Sequence, residues 1–452
     1  MTRIRTEPVA LDPTGKDPHA EARILRNQGP AARVLLPGGF PAWSITRPHT
    51  IRALLTDDTR VSKNPAHWPA WRTGQVPDGW PLAALVRVTS MLTRDGEDHR
   101  RLRAISAPAF TPRRIDALRA RVTAITTDLL DNLEARAVPG EPADLYEHLA
   151  RPLPTRLICD LFGVPDGLRP DALRAVDGVL ATATTARQAA ENIQHLDAVM
   201  EALLREKETR PGEDMATDLL TARDGDGRPL TRREMLDTLA LMIGAGAETA
   251  VNLIAYGIAE LLTHPGQLRL TVCGDVPWDA VVEETLRTHP PIMHMPLRFA
   301  TTDIHLPGQC DGEQDVTIHA GEPILPGFGA VSRDPALHRE PDTFDITRTT
   351  KTHMAFGHGP HYCPGAALGR MEAAVALPAL FDRFPAAQLA APLTELAPLP
   401  SFISHGLAEL PVHLTRRGTP GDRGGRTPRR NDGSTSTQPT RRGPTGKEND
   451  RL

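Results

Sequence analysis

"HMAFGHGPHYCPGAALGRMEA", residues 353–373, places three histidines and one cysteine between His353 and Cys363 and then runs into an alanine-rich helical pattern. Phe356-Gly357 and Gly359-Pro360 predict a tight loop, and Pro364-Gly365 predicts a helix opening at Ala366. Two metal chemistries fit. In one, Cys363 joins His353, His358 or His361 around a zinc ion, although this spacing on a Gly/Pro loop is not a common zinc pattern and no further ligand arm stands elsewhere. In the other, Cys363 alone binds an iron already held in a ring. A sulfur at a helix N-terminus faces free N–H groups and the positive dipole end, which favour thiolate over thiol. A single axial thiolate on haem iron pushes electron density toward O–O cleavage.

The longest helical signal lies upstream, over 231–264. It opens on Thr231-Arg-Arg-Glu234, a capping box, and stops before Pro265. Its length predicts a rod of roughly 50 Å, enough to cross a whole domain. Between Asp237 and Glu260 its one charge is Glu248. A membrane span is the competing account, but a carboxylate at mid-helix opposes it by about 2.5–3.5 kcal/mol. A helix apolar on nearly all sides is what the centre of a large water-soluble domain contains, and no membrane association is expected. Gly244 and Gly246 replace better helix formers and predict a place where something flat or bulky meets the backbone, or a groove for another helix. Beside them, Thr249 can bond back to a carbonyl one turn earlier or turn toward a ligand.

Elsewhere, residues 115–137 and 190–208 repeat apolar residues at helical spacing. Residues 32–46 read as a hairpin around Pro-Gly-Gly with a short helix after it, and broken strands are expected between Leu297 and Leu325. The fold class is mainly α with a minor β part. "VVEETLRTHPP" sets Glu284 and Arg287 one turn apart among apolar flanks, so partial burial is expected. "DGEDHRRLRAISAPAF" sets His99 and Arg103 on one helix face that suits an anionic ligand.

Bulk numbers exclude several classes. The chain has 452 residues, 40% of them apolar, and a net charge of −4. Four scattered cysteines without CxxC spacing argue against a disulfide framework, and the opening residues carry no apolar signal region, so a cytoplasmic protein is expected. The segment 416–452 carries ten basic and four acidic residues, a charge of +6 that leaves −10 on the body. It lacks aromatics and cannot bury enough apolar surface to order itself, so a disordered basic tail is expected. Without interleaved aromatics on an acidic body, nucleic acid is not an expected partner.

Taken together the motifs resemble the cytochrome P450 family. "FGHGPHYCPGAALGR" is similar to its haem-binding loop, Phe-x-x-Gly-x-x-x-Cys-x-Gly, and three further matches follow the family's order. Ala245-Gly246-Ala247-Glu248-Thr249 resembles its oxygen-activation motif, Glu284-x-x-Arg287 its buried ion pair with Arg348, and His99-x-x-x-Arg103 its propionate-binding pair. The resemblance covers roughly residues 11–415 and has the flavour of the water-soluble actinobacterial class I enzymes. It implies the P450 fold over residues 1–415 and one haem b (iron protoporphyrin IX). Cys363 is implied as iron ligand, with Phe356, Gly357, Gly365, Ala245 and Gly246 around the cofactor and His99, Arg103, Arg298 and His361 on its propionates. Glu248 and Thr249 are the implied catalytic pair. It further implies a monomer that oxidises a hydrophobic small molecule, of the secondary-metabolite kind, with O2 and with electrons from NAD(P)H through a separate ferredoxin reductase and ferredoxin. Arg100, Arg101, Arg113 and Arg114 are expected as the ferredoxin's landing patch. Trp68, Trp71 and Trp80, with Met91, Leu92, Ile292, Met293, His294 and Phe402, are expected around the substrate. Oxidative C–C or C–O coupling of an aromatic or peptide substrate and a non-catalytic haem sensor or carrier are the alternatives, and the acid–alcohol pair speaks against the second. Two features depart from the family pattern: the long 308–322 hairpin and the basic tail.

Overall fold

The computed structural model describes residues 7–308 and 313–415; the basic tail (416–452) and the tip of the 308–322 insertion lie outside the described residues. A single long helix, Arg232–Thr263, organises the rest. Its N-terminus is closed by the anticipated reciprocal cap: the Thr231 hydroxyl accepts the Glu234 N–H at 3.2 Å, and the Glu234 carboxylate accepts the Thr231 N–H at 2.8 Å. It is long and apolar enough to cross a membrane, but 67% of its apolar window is buried inside the protein. Ile254, Ala255, Ile258 and Ala259 have no exposed surface. At Gly257 the helix Ala366–Arg383 comes so close that a β-carbon would stand 3.1 Å from Leu377 Cδ1.

Four of the other helices fall where the sequence predicts them, at Pro112–Arg136, Ala186–Thr209, Gly96–Ser106 and Trp278–Thr288, while Pro152–Leu161 and Arg169–Leu180 were not anticipated. The hairpin is formed by Ala32–Leu35 and Pro41–Ile45 in antiparallel register, Ala32 opposite Ser44, around Gly38 and Gly39 at φ of 84° and 82°. The sequence did not announce the sheet that holds this hairpin. Val9–Ala10 pairs parallel to its first strand and Pro323–Pro326 parallel to its second, followed by Arg298–Ala300 and Val61–Ser62 in a six-stranded sheet. Elements of two to five residues carry too short a period to be read.

The tryptophans find a different use from the one expected. Trp68 and Trp80 belong to the core between this sheet and the C-terminal segment, with Phe40, Phe299 and Phe402. Trp68 stacks on Phe299 at 5.8 Å between ring centres, and Trp80 Nε1 donates to the Pro37 carbonyl at 2.6 Å. Their bulk closes the sheet face. Met293 likewise sits on the bare backbone of Gly329, where a β-carbon would stand 2.2 Å from its methyl carbon.

The ion pair is more deeply placed than expected. Glu284 and Arg287 have no exposed surface. Arg287 donates to Glu284 through Nε at 2.9 Å and Nη2 at 2.6 Å, and to the carbonyls of Ser332, Pro341 and Thr343 at 3.1, 2.7 and 2.8 Å. Glu284 also accepts the Asp345 N–H at 2.8 Å and Arg348 Nε at 3.3 Å. Removing one partner leaves an uncompensated buried charge, a loss of about 3–5 kcal/mol against a stability margin of about 5–15 kcal/mol. Arg287→Ala and Glu284→Ala are therefore expected to yield little haem-loaded protein, with normal cofactor content and melting temperature as the result that would show the pair to be dispensable.

Candidate active site

The cysteine loop is shaped by its backbone. Gly357 and Gly359 both sit at φ of 73°, and a β-carbon on Gly359 would stand 2.8 Å from the Leu55 carbonyl oxygen, so only glycine fits there. The Gly357 N–H donates to the Met354 carbonyl and the Cys363 N–H to the Phe356 carbonyl, each at 2.9 Å, which folds the loop back on itself. The helix starts at Ala366 with Gly365 as its cap. Burial pushes the Cys363 thiol up, while the Gly365 N–H pulls it down. The Gly365 N–H and the nearby Arg103 and Arg370 charges thus favour thiolate against burial, and a bound metal cation deprotonates a coordinating thiol outright.

The loop's histidines do not converge on that sulfur. His353 Nε2 lies 3.1 Å from Glu283, and the same carboxylate takes Arg370 Nε at 2.5 Å. Arg370 in turn lies over the Phe356 ring at 4.4 Å. The His361 ring packs on that of His99 at 4.2 Å between centres, with its Nε2 3.7 Å from Asp95. Among the described residues the loop supplies no cluster of three metal-ligating groups, which removes the zinc reading.

His99 and Arg103 from one helix, with Arg298 and His361 from two distant segments, line one cavity of about 480 Å³ together with Asp95 and Arg100. Arg298 is buried and its charged form is disfavoured by burial, to about 10, with only Asp95 attracting it. His99 is buried with Nε2 unpartnered. Burial also holds Lys63 down to about 7, Arg298 repelling its charge and Asp95 attracting it. The Asp95 carboxylate accepts Ser62 Oγ and the Lys63 N–H, each at 2.6 Å, and these bonds with His361 hold it at about 2 against the opposing effect of burial. Asp57, paired with Arg60, and Asp58 also line the cavity, but Asp95 is the one carboxylate that attracts the buried Arg298 and Lys63, whose charge the carboxylates of an anionic ligand would answer. Sequence reasoning missed Lys63 and Asp95; the only hint is that lysine is rare in this chain.

The central helix presents Ala245, exposed although it lies mid-helix. Gly246 is not the gap anticipated: the space of its missing side chain is filled by Ile158, whose Cδ1 would stand 2.6 Å from a β-carbon there, and Val176 fills that of Gly244. The helix–helix groove is thus the realised alternative for both glycines. Thr249 Oγ1 donates back to the Ala245 carbonyl at 2.8 Å, which leaves its lone pairs free to accept. Burial raises Glu248 to about 7, with Asp177 adding to the rise and the Ser404 hydroxyl opposing it. Its Oε2 has no hydrogen-bond partner, so Ser404 stands near without closing a bond. Of the expected ferredoxin patch, Arg101 is bound to Glu234 and Arg114 to Asp218, while Arg100 and Arg113 are exposed.

The comparisons with known proteins agree with this site. The cytochrome P450 family profile matches residues 278–401. Over 412 residues the chain is 41% identical to 2-hydroxy-5-methyl-1-naphthoate 7-hydroxylase of Streptomyces carzinostaticus, covering 91% of this chain and 98% of that protein. It is 35% identical over 402 residues to the vitamin D(3) 25-hydroxylase of Pseudonocardia autotrophica, covering 89% and 95%. The solved structure of CYP154A1 from Streptomyces coelicolor A3(2) superposes with a TM-score of 0.84 at 48% identity, over 90% of this chain and all of that one. The chain belongs to the cytochrome P450 family. It is a haem-thiolate monooxygenase of the bacterial type, with haem b as cofactor.

Because Glu248 titrates higher in the folded protein than in the unfolded chain, its contribution is intact below the ordinary carboxylate range and is lost as pH rises through about 7. Glu248→Gln is therefore expected to raise the melting temperature by a few degrees at pH 8 and to leave it nearly unchanged at pH 4. A mutant that gains nothing at pH 8 would show the carboxyl to be solvated.

Proposed function

We propose that residues 1–415 form the haem domain of a cytoplasmic, monomeric P450 that inserts one atom of O2 into a hydrophobic small molecule of secondary metabolism, drawing electrons from NAD(P)H through a ferredoxin reductase and a ferredoxin. The observation that carries the residue assignment is the meeting of His99, Arg103, Arg298 and His361 in one cationic cavity beside the cysteine loop. Cys363 is the iron ligand in this reading; Phe356, Gly357 and Gly365 set the loop that holds it, and the four cavity residues, with Lys63, hold the propionates. Ala245 presents the open helix face, and Gly246 serves packing. Thiolate-bound haem supplies the activation of O2, one oxygen atom going to substrate and the other to water at the cost of two electrons and two protons.

The protons are the task of this chain's own residues. Thr249, its hydroxyl hydrogen committed to Ala245, can accept a hydrogen bond from a water on the open face of the helix. Glu248, balanced near neutrality, can give up a proton and regain one at physiological pH. A passive haem carrier has no need of either. The substrate class rests on the relatives named as hydroxylases of a naphthoate and of vitamin D(3), together with a folded body whose remaining core is apolar. Exposed Arg100 and Arg113 are the cations left to meet an acidic ferredoxin.

Two measurements test the assignment. The ferrous–CO complex should show the red-shifted Soret band of thiolate ligation, and Cys363→His should keep some haem and lose that band; survival of the band refutes the ligand. Thr249→Ala should still bind substrate and consume NAD(P)H, but product per NAD(P)H should fall about 10-fold or more while hydrogen peroxide release rises. An unchanged ratio with a cognate substrate would place proton delivery elsewhere.

A further inference from the structure

Away from the cavity, three histidines from distant parts of the chain converge. His19 lies in the helix Pro18–Arg26, His289 caps the end of Trp278–Thr288, and His405 belongs to the C-terminal segment beside the Ile292–Ser404 bridge. Each offers a ring nitrogen, and the three nitrogens all lie within 4.8 Å of one another. His289 and His405 have their outer nitrogens engaged: His289 Nε2 is 2.5 Å from Glu260 Oε1, and His405 Nε2 is 2.9 Å from the Tyr256 hydroxyl. The Nδ1 atoms of both, and both ring nitrogens of His19, are enclosed without a hydrogen-bond partner; the Pro290 carbonyl stands near His405 without closing one. Tyr256 and Glu260 belong to the central helix, starting eight residues or about 12 Å beyond Glu248, so the cluster is separate from the proposed proton path.

We propose that His19, His289 and His405 form a binding site for a divalent late transition metal, zinc by default, that fastens the N-terminal helix to the core. The argument is one of unanswered lone pairs. An imidazole that donates its Nε2 hydrogen to a carboxylate or hydroxyl presents a bare lone pair at Nδ1, and leaving such groups buried and unpaired costs about 1–3 kcal/mol each. A cation answers all three at once. The arrangement of His289 against Glu260 is the carboxylate–histidine pairing that fixes tautomer and ring orientation behind a metal, and three imidazoles suit zinc, copper or nickel. Two charges oppose: the guanidiniums of Arg333 and Arg23 lie close to His19. The Glu260 carboxylate behind His289, which also meets His264 at 3.1 Å, offsets them.

The test uses the untagged, haem-loaded full chain, stripped with a chelator and titrated with zinc against a chromophoric competitor, with zinc and iron counted by mass spectrometry after gel filtration. One zinc per haem and a rise in melting temperature with zinc are expected. His19→Gln should keep haem and the thiolate Soret band but bind zinc at least about 100-fold more weakly and lose the thermal shift; Glu260→Gln should weaken it about 10–100-fold. Wild-type protein that retains no zinc overturns the proposal. So does equal retention by His19→Gln, which would assign the metal to the chain's other histidines.

Discussion

The Glu284–Arg287 pair is the constraint on which the cysteine side of the molecule depends. Both charges are out of water, a state that is tolerable only if every donor and acceptor around them is answered. The answer is drawn from one stretch of chain: the Ser332, Pro341 and Thr343 carbonyls, the Asp345 N–H and Arg348, which itself reaches the Arg339 and Glu340 carbonyls at 2.6 and 2.7 Å. A segment with almost no secondary structure is thereby fixed by side chains of one short helix. The neighbouring residue on that helix, Glu283, extends the same logic. It clamps His353, ten residues before Cys363, and Arg370, seven residues after it. Two adjacent glutamates thus set both the approach to the cysteine loop and its two ends.

The opposite wall has the reverse electrostatic character. The cavity beside His361 gathers Arg103, Arg298 and, next to it, Lys63, with Asp95 as the carboxylate that attracts the two buried cations and Asp57 and Asp58 elsewhere on its lining. Burial disfavours the charged forms of Arg298 and Lys63, a cost that Asp95 meets only in part. A ligand bearing two carboxylates removes that cost, so binding the cofactor and stabilising the fold are linked. The loop end of the site is rigid in advance, while the cationic end is completed by what binds.

Legibility in the sequence followed the range of the interactions. The central helix could be read because its cap, its period and its stop are local, and Glu284-x-x-Arg287 because its partners are one turn apart. The six-stranded sheet could not, since Val9–Ala10 and Pro41–Ile45 each join strands far along the chain over a few residues. Glu283 was invisible for the same reason: its partner Arg370 lies 87 residues away. Gly244 and Gly246 left two readings open, a flat ligand or another helix, because a sequence shows that a side chain is missing but not that Val176 and Ile158 fill the space. The tryptophans misled through their size, which core packing against a sheet uses as readily as a substrate does.

Packing Gly246 against Ile158 has a consequence for the residue next to Thr249. It presses the helix on one side, while Ala245, one step round, is exposed, and Thr249, one turn on, shares that face and can reach back to the Ala245 carbonyl. Glu248 is then turned off this face toward the helix that carries Asp177 and toward Tyr146, whose hydroxyl is pushed up by burial, with the Asp177 and Glu248 charges adding to the rise. Asp177 is paired with Arg151 at 2.8 Å, and Arg151 reaches Glu147 at 3.2 Å on the exposed side. In the proposed role, the alcohol therefore lies on the open face of the helix while the acid faces a chain of charged groups leading outward. An acid that only filled space there would be destabilising above neutrality. One that must exchange protons with solvent near pH 7 needs this incomplete burial, because a fully paired carboxylate would hold no proton to deliver and a dry one would not release it.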